Sequence, residues 1–153
     1  MNSTELNPIA MNPILLVDDS ADDVQLILSA LKRASLKNEV ITLRDGSEAL
    51  DYLYRQGAFT DRRDPIVILL DIKMPKVNGL EVLERIKADE KLKNIPVVML
   101  TSSNQRSDIE TSYELGTNAY VVKPVAFAHL VEAIRYLGVF WTAVNRSPVL
   151  EAT

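Results

Sequence analysis

The chain has no cysteine, one histidine and one tryptophan among its 153 residues. Without cysteine it has no disulfide framework, no thiol nucleophile and no cysteine-bound zinc. The lone histidine, His129, falls in the last predicted helix and reads as a surface residue, so the chain has no obvious phosphohistidine donor of its own. The five glycines, at positions 46, 57, 79, 116 and 138, form neither a Walker loop nor a dinucleotide fingerprint. No run of 18 apolar residues occurs, so no membrane span is expected. Met1 to Asn12 carries no Lys or Arg and no long apolar run, which does not fit a signal peptide. A cytoplasmic location is therefore expected. Basic residues are in the minority, 17 against 21 acidic, for a net charge of −4. That balance lacks the basic footprint of a nucleic-acid binder.

What is present is the material of a globular domain: 47% hydrophobic and 25% charged residues. A chain of this length buries about two-thirds of its surface on folding, enough for a core without staples. Short continuous apolar runs alternate with amphipathic segments. Ile14–Val17, Glu39–Leu43, Ile66–Leu70, Val97–Leu100 and Ala119–Val122 read as strands. Between them lie helical patterns. Ser20, with Asp23 three residues on, forms a capping-box pattern, and Val24, Ile27, Leu28 and Leu31 follow it. Asp45-Gly46 is a turn signal before Ala49, Leu50 and Leu53, and Leu80, Leu83 and Ile86 mark a third helix. Asn104 to Leu115 is a weaker helix, and Ala126 to about Trp141 is the last. Gly57 to Pro65 reads as a mobile polar loop in which Arg62 and Arg63, like Lys76 further on, are solvated charges. Five strand–helix pairs of this kind argue for a parallel sheet covered on both faces.

In such a sheet the ligand site lies at the C-terminal ends of the strands. The first strand ends in Asp18-Asp19, the second near Arg44-Asp45, the third in Asp71, the fourth in Thr101-Ser102 and the fifth in Lys123-Pro124. Clustered carboxylates repel one another unless a cation lies between them. An oxygen-only set favours a hard ion, Mg²⁺ or Mn²⁺. A lysine and a threonine beside it suit the oxygens of a phosphoryl group. A carboxylate can itself be the nucleophile and form an aspartyl phosphate.

Val17-Asp18-Asp19-Ser20, the segment from Leu70-Asp71 through Met74-Pro75 to Asn78-Gly79, Leu100-Thr101-Ser102 and Tyr120-Val121-Val122-Lys123-Pro124 together resemble the receiver domain of two-component response regulators. The resemblance runs from about Asn12 to Val139. It implies a doubly wound (βα)5 flavodoxin-like fold with a five-stranded parallel sheet in the order 2-1-3-4-5. A receiver domain is expected over 12–142, with tails at 1–11 and 143–153. By the same resemblance, Asp71 accepts a phosphoryl group from a histidine kinase. Asp18, Asp19, Asp71 and the backbone carbonyl of Lys73 hold Mg²⁺ or Mn²⁺, with Asp18 acting largely through water. Thr101 and Lys123 bind phosphoryl oxygens, Tyr120 is the switch aromatic, and the bond before Pro124 is cis. The insertion around Gly57–Arg63 and the Phe140-Trp141 tail are most like the small single-domain regulators that partner bacterial and cyanobacterial phytochromes. A phytochrome-type histidine kinase is the implied partner.

In the last helix Phe127, Leu130, Val131, Ile134, Leu137 and Trp141 share one apolar face, while Tyr136, Val139 and Phe140 point roughly the other way. A second apolar patch implies a partner surface. Receivers commonly dimerise through the fourth helix, fifth strand and fifth helix, so a homodimer through Tyr136, Val139 and Phe140 is expected. The expected function is a stand-alone switch that signals through protein contacts, with no nucleic acid and no membrane. It is not an enzyme beyond its own phosphorylation and dephosphorylation. The alternative is a constitutive protein-binding module of the same fold with no phosphate-dependent switch. A phosphatase using an aspartyl phosphate would place a second Asp two residues after the nucleophile, where this chain has Lys73. Lys73 and Ser103 offer no carboxylate or carboxamide to position attacking water, so slow loss of the phosphoryl group is expected.

Overall fold

The computed structural model describes residues 12–33, 37–123, 126, 128–130 and 132. The elements are β1 (Ile14–Val17), α1 (Ala21–Arg33), β2 (Val40–Leu43), α2 (Gly46–Leu53), a 3₁₀ turn (Gly57–Phe59), β3 (Val67–Leu70), α3 (Gly79–Ala88), β4 (Val97–Thr101), α4 (Arg106–Glu114) and β5 (Ala119–Val122). All strand pairs are parallel, and the sheet order is β2-β1-β3-β4-β5. Chain order and spatial order part company at β1. The chain leaves β1 outward to β2, then returns past it to β3. This reversal opens a crevice at the C-terminal ends of β1 and β3, the place where such sheets bind ligands.

Strand period two splits the central strands between two cores. Leu15, Val17, Ile68, Leu70 and Met99 face one side, with Ala49, Tyr52 and Leu53 of α2 and Val82, Leu83 and Ile86 of α3. Ile14, Leu16, Val67, Leu69, Val98 and Leu100 face the other, with Ile27, Ala30 and Leu31 of α1 and Leu130. Since both faces are covered, β1 and β3 are buried at every position, which is why they read as unbroken apolar runs. The edge strand β2 is only partly buried.

Asp45-Gly46 is more than a turn. Asp45 is the N-cap of α2, accepting a hydrogen bond from Glu48 N at 2.8 Å. Asn78 caps α3 in the same way, from Glu81 N at 3.0 Å.

Gly57–Pro65 differs from the mobile loop expected from its polarity. Arg62 is 4% exposed at its side chain and pairs with Asp64. Its guanidinium donates to Tyr52 O at 3.0 Å and Leu53 O at 2.9 Å, carbonyls of the last turn of α2. It also lies over the Tyr52 ring, 5.6 Å from its centroid. The segment is pinned to α2 by a buried cation. Arg63 bonds Asn12 Oδ1, and Lys76 pairs with Asp45 at 3.6 Å while 69% exposed. The expected C-terminal features fall outside the described residues: Pro124 and its peptide bond, Tyr136, Val139, Phe140 and most of the last helix. So do the tails at 1–11 and 143–153. His129 is exposed and Leu130 buried, as their helical pattern predicts.

Candidate functional site

Asp18 and Asp71 leave the sheet at equivalent places, one residue beyond β1 and β3. Their amides are held by the neighbouring strands: Asp18 N donates to Leu43 O and Asp71 N to Val17 O, each at 3.0 Å. The backbone ladder therefore fixes both carboxylates at the crevice. Asp19 beside them is exposed, whereas Asp18 and Asp71 are 2% and 7% exposed. One oxygen from each of Asp18, Asp19 and Asp71 lies within 4.8 Å of the others. Oxygens so spaced, with no nitrogen or sulfur donor, can hold a hard divalent cation.

Lys123 enters from one residue beyond β5, its amide donating to Thr101 O at 2.8 Å. Its Nζ donates to Asp18 Oδ2 at 2.6 Å, Asp23 Oδ2 at 2.9 Å and Asp71 Oδ2 at 3.3 Å. Burial alone would pull this ammonium down. The bonds to Asp18 and Asp23 and the charge of Asp71 more than offset it, so Lys123 stays above the ordinary lysine range. Asp71 shifts upward because burial penalises its charge and Asp18 repels it, against the opposing pull of Lys123 and of a hydrogen bond with Thr101. Its Oδ1 also accepts from Ile72 N at 2.8 Å.

Thr101 is fully buried at the end of β4, and its Oγ1 accepts from Ser103 N at 3.2 Å. Tyr120 Oη donates to Ser103 O at 2.8 Å, which brings the expected switch aromatic onto the loop that follows Thr101. Burial raises the Tyr120 hydroxyl. The Ser103 hydroxyl turns away from the acidic crevice to bond Asp108 in the first turn of α4. Lys73 lies in the exposed part of the loop after β3, two residues past Asp71. That loop packs tightly. A Cβ on Gly79 would lie 1.9 Å from Asp71 O, and one on Gly46 would lie 2.0 Å from Val77 O.

Asp18, Asp19, Asp71, Thr101 and Lys123 were all expected at this crevice; Asp23 was not. In sequence it looks like half of a capping box, and its amide does donate to Ser20 Oγ at 3.2 Å. The Ser20 amide donates instead to Asp18 Oδ1 at 3.0 Å, which leaves the Asp23 carboxylate to face Lys123. The available signal was position: residue 23 lies in the first turn of α1, at the same end of the sheet as Asp18.

Comparison with known proteins gives a consistent answer. Residues 14–135 match the family model described as the response regulator receiver domain. The chain is 41% identical over 139 residues to response regulator Rcp1 of Synechocystis, covering 91% of this chain and 93% of that protein. It is similar to the solved bacteriophytochrome response regulator RtBRR, with 57% identity, a TM-score of 0.80, and coverage of 90% of this chain and 84% of that one. The structure of the Mn²⁺-bound form of Rcp1 aligns with a TM-score of 0.75 and 39% identity, over 90% of this chain and 99% of that one.

Proposed function

Since the chain belongs to the response regulator receiver family, we propose that it is a phosphorylation-dependent switch in which Asp71 takes a phosphoryl group from a histidine kinase. The observation that carries this reading is the pairing of a buried Asp71 carboxylate with Lys123 at 3.3 Å, beside the acidic group of Asp18 and Asp19. An Asp71 oxygen attacks phosphorus and the P–N bond of phosphohistidine breaks. The electron pair returns to the imidazole nitrogen, and an acyl phosphate forms. Thr101 and Lys123 would bind two of the new phosphoryl oxygens.

Asp18, Asp19 and Asp71, with the carbonyl of Lys73, would hold Mg²⁺, or Mn²⁺ as in the Rcp1 structure. Such an ion, when bound, neutralises charge on the transferring group. Thr101 and Tyr120 share the Ser103 loop, so a shift of Thr101 toward a phosphoryl oxygen would pass to Tyr120 through Ser103. Output then passes through the α4–β5 surface, where Tyr113 and Val122 are exposed at 52% and 38%. A homodimer using this surface with Tyr136, Val139 and Phe140 fits that exposure, and the location we infer is cytoplasmic. The name of RtBRR, a bacteriophytochrome response regulator, supports a phytochrome as the sensor.

The test is phosphotransfer from a labelled phytochrome-type histidine kinase to the full chain. Label should move to the wild type and not to Asp71→Asn. Retention of label on the kinase, with the chain folded and Mg²⁺ present, would favour the constitutive binding module.

A further inference from the structure

Among the described residues, four carboxylates and one ammonium meet at the crevice, and three of the carboxylates belong to the group able to share a cation. Asp23 is the one outside it. Its side chain comes from the first turn of α1 and is 35% exposed, while that of Lys123 is 7% exposed. An ammonium offers three hydrogens, and here Asp18, Asp23 and Asp71 receive them. Both Asp18 oxygens already accept: Oδ1 from Ser20 N and Oδ2 from Lys123. Each keeps a second lone pair for a cation, and an ion drawing on Oδ2 would compete with its bond to Lys123. Loosening the bond to Lys123 would leave a buried ammonium facing a dication. Such a charge is costly to strand without a partner.

We propose that Asp23 is a positioning residue that holds Lys123 when Asp18 and Asp71 turn to a divalent ion. It keeps the ammonium in place and out of competition for Asp18. The exchanged capping partner at Ser20 is what frees the Asp23 carboxylate for this task. The inference rests on the reading of Asp18, Asp19 and Asp71 as the divalent-ion site.

Calorimetric titration of Mg²⁺ into the full-length wild type, Asp23→Asn, Lys123→Met and the double variant tests it. Melting in EDTA first confirms that each variant folds. Asp23→Asn should weaken Mg²⁺ binding about fivefold with Lys123 present and less than about twofold with Lys123→Met, a coupling normal for contacting residues. Asp23→Glu, which restores a carboxylate, should recover part of the affinity. In ¹⁵N spectra of the Mg²⁺-loaded wild type, the Lys123 ammonium should give a resonance protected from exchange, and Asp23→Asn should lose it. An equal loss of affinity in both lysine backgrounds would mean that Asp23 acts through charge alone and would overturn the positioning role. Absence of Mg²⁺ binding by the wild type would instead remove the functional reading, and this inference with it.

Discussion

Lys123 Nζ lies 2.6 Å from Asp18 and 3.3 Å from Asp71. The ammonium is thus committed more to the carboxylate of β1 than to the proposed acceptor, and Asp71 keeps a charge that its burial penalises.

That penalty sets the sign of the first prediction. The Asp71 carboxyl is raised by burial, and then by Asp18, above the value of about 3.9 for a free aspartate. Between those two values the folded state binds more protons than the unfolded one. Stability from this group therefore falls as pH rises through that window, and the penalty persists at neutral pH. Asp71→Asn should raise the melting temperature in EDTA at pH 7 by roughly 2–4 °C, equivalent to about 1 kcal/mol for a domain of this size. Mg²⁺ should stabilise the wild type more than the variant and narrow the gap. A lower melting temperature for Asp71→Asn in EDTA would contradict this.

Arg62 packs its buried side chain against the end of α2. Arg62→Ala would remove the side-chain donors to Tyr52 O, which keeps Arg55 N, and to Leu53 O, and would remove the stacking on Tyr52. Urea unfolding should show a loss of about 2–3 kcal/mol, whereas Asp61→Ala, an exposed neighbour, should change stability by less than about 0.5 kcal/mol. Equal, small effects would mean that the segment contributes no more than a solvated loop.

Tyr52 Oη donates to Arg63 O at 3.0 Å, and burial raises its hydroxyl above the ordinary tyrosine value. The stabilising bond is present below about pH 10, where free tyrosine ionises, and is lost as pH rises through the higher folded value. Tyr52→Phe should therefore cost about 1 kcal/mol at pH 8, with the difference from wild type shrinking toward pH 11. A constant difference across that range would show that the hydroxyl does not contribute in this way.

The loop after β3 has no room at Gly79. Gly79→Ala puts a methyl group against Asp71 O, where backbone must shift. The expected result is a loss of about 3 kcal/mol, the upper end for overpacking, together with weaker divalent-ion binding as Asp71 moves. Unchanged melting would show that the loop yields freely.

These contrasts show what can be read from the chain and why. Ile14–Val17 and Val67–Leu70 announce themselves because burial on both faces leaves unbroken apolar runs. Asp18, Asp71, Thr101 and Lys123 could be listed together because each directly follows or ends such a run. Bringing them to one crevice required the β2-β1-β3-β4-β5 order, which came from resemblance to a known family and not from periodicity. Asp23 was read only in part, and Arg62 misread, for a common reason. Local sequence offered each a sufficient explanation, a capping box and a polar loop. Their actual partners depend on chain closure: Lys123 is 100 residues from Asp23, and Arg62 reaches back 10 and 9 residues to Tyr52 O and Leu53 O.

The most direct test of the central claim is intact mass after incubation with acetyl phosphate, with Mg²⁺ or with EDTA, for the wild type and Asp71→Asn. The account predicts a gain of one phosphoryl group that requires both Mg²⁺ and Asp71. A gain that persists in EDTA, or that survives Asp71→Asn, would contradict it.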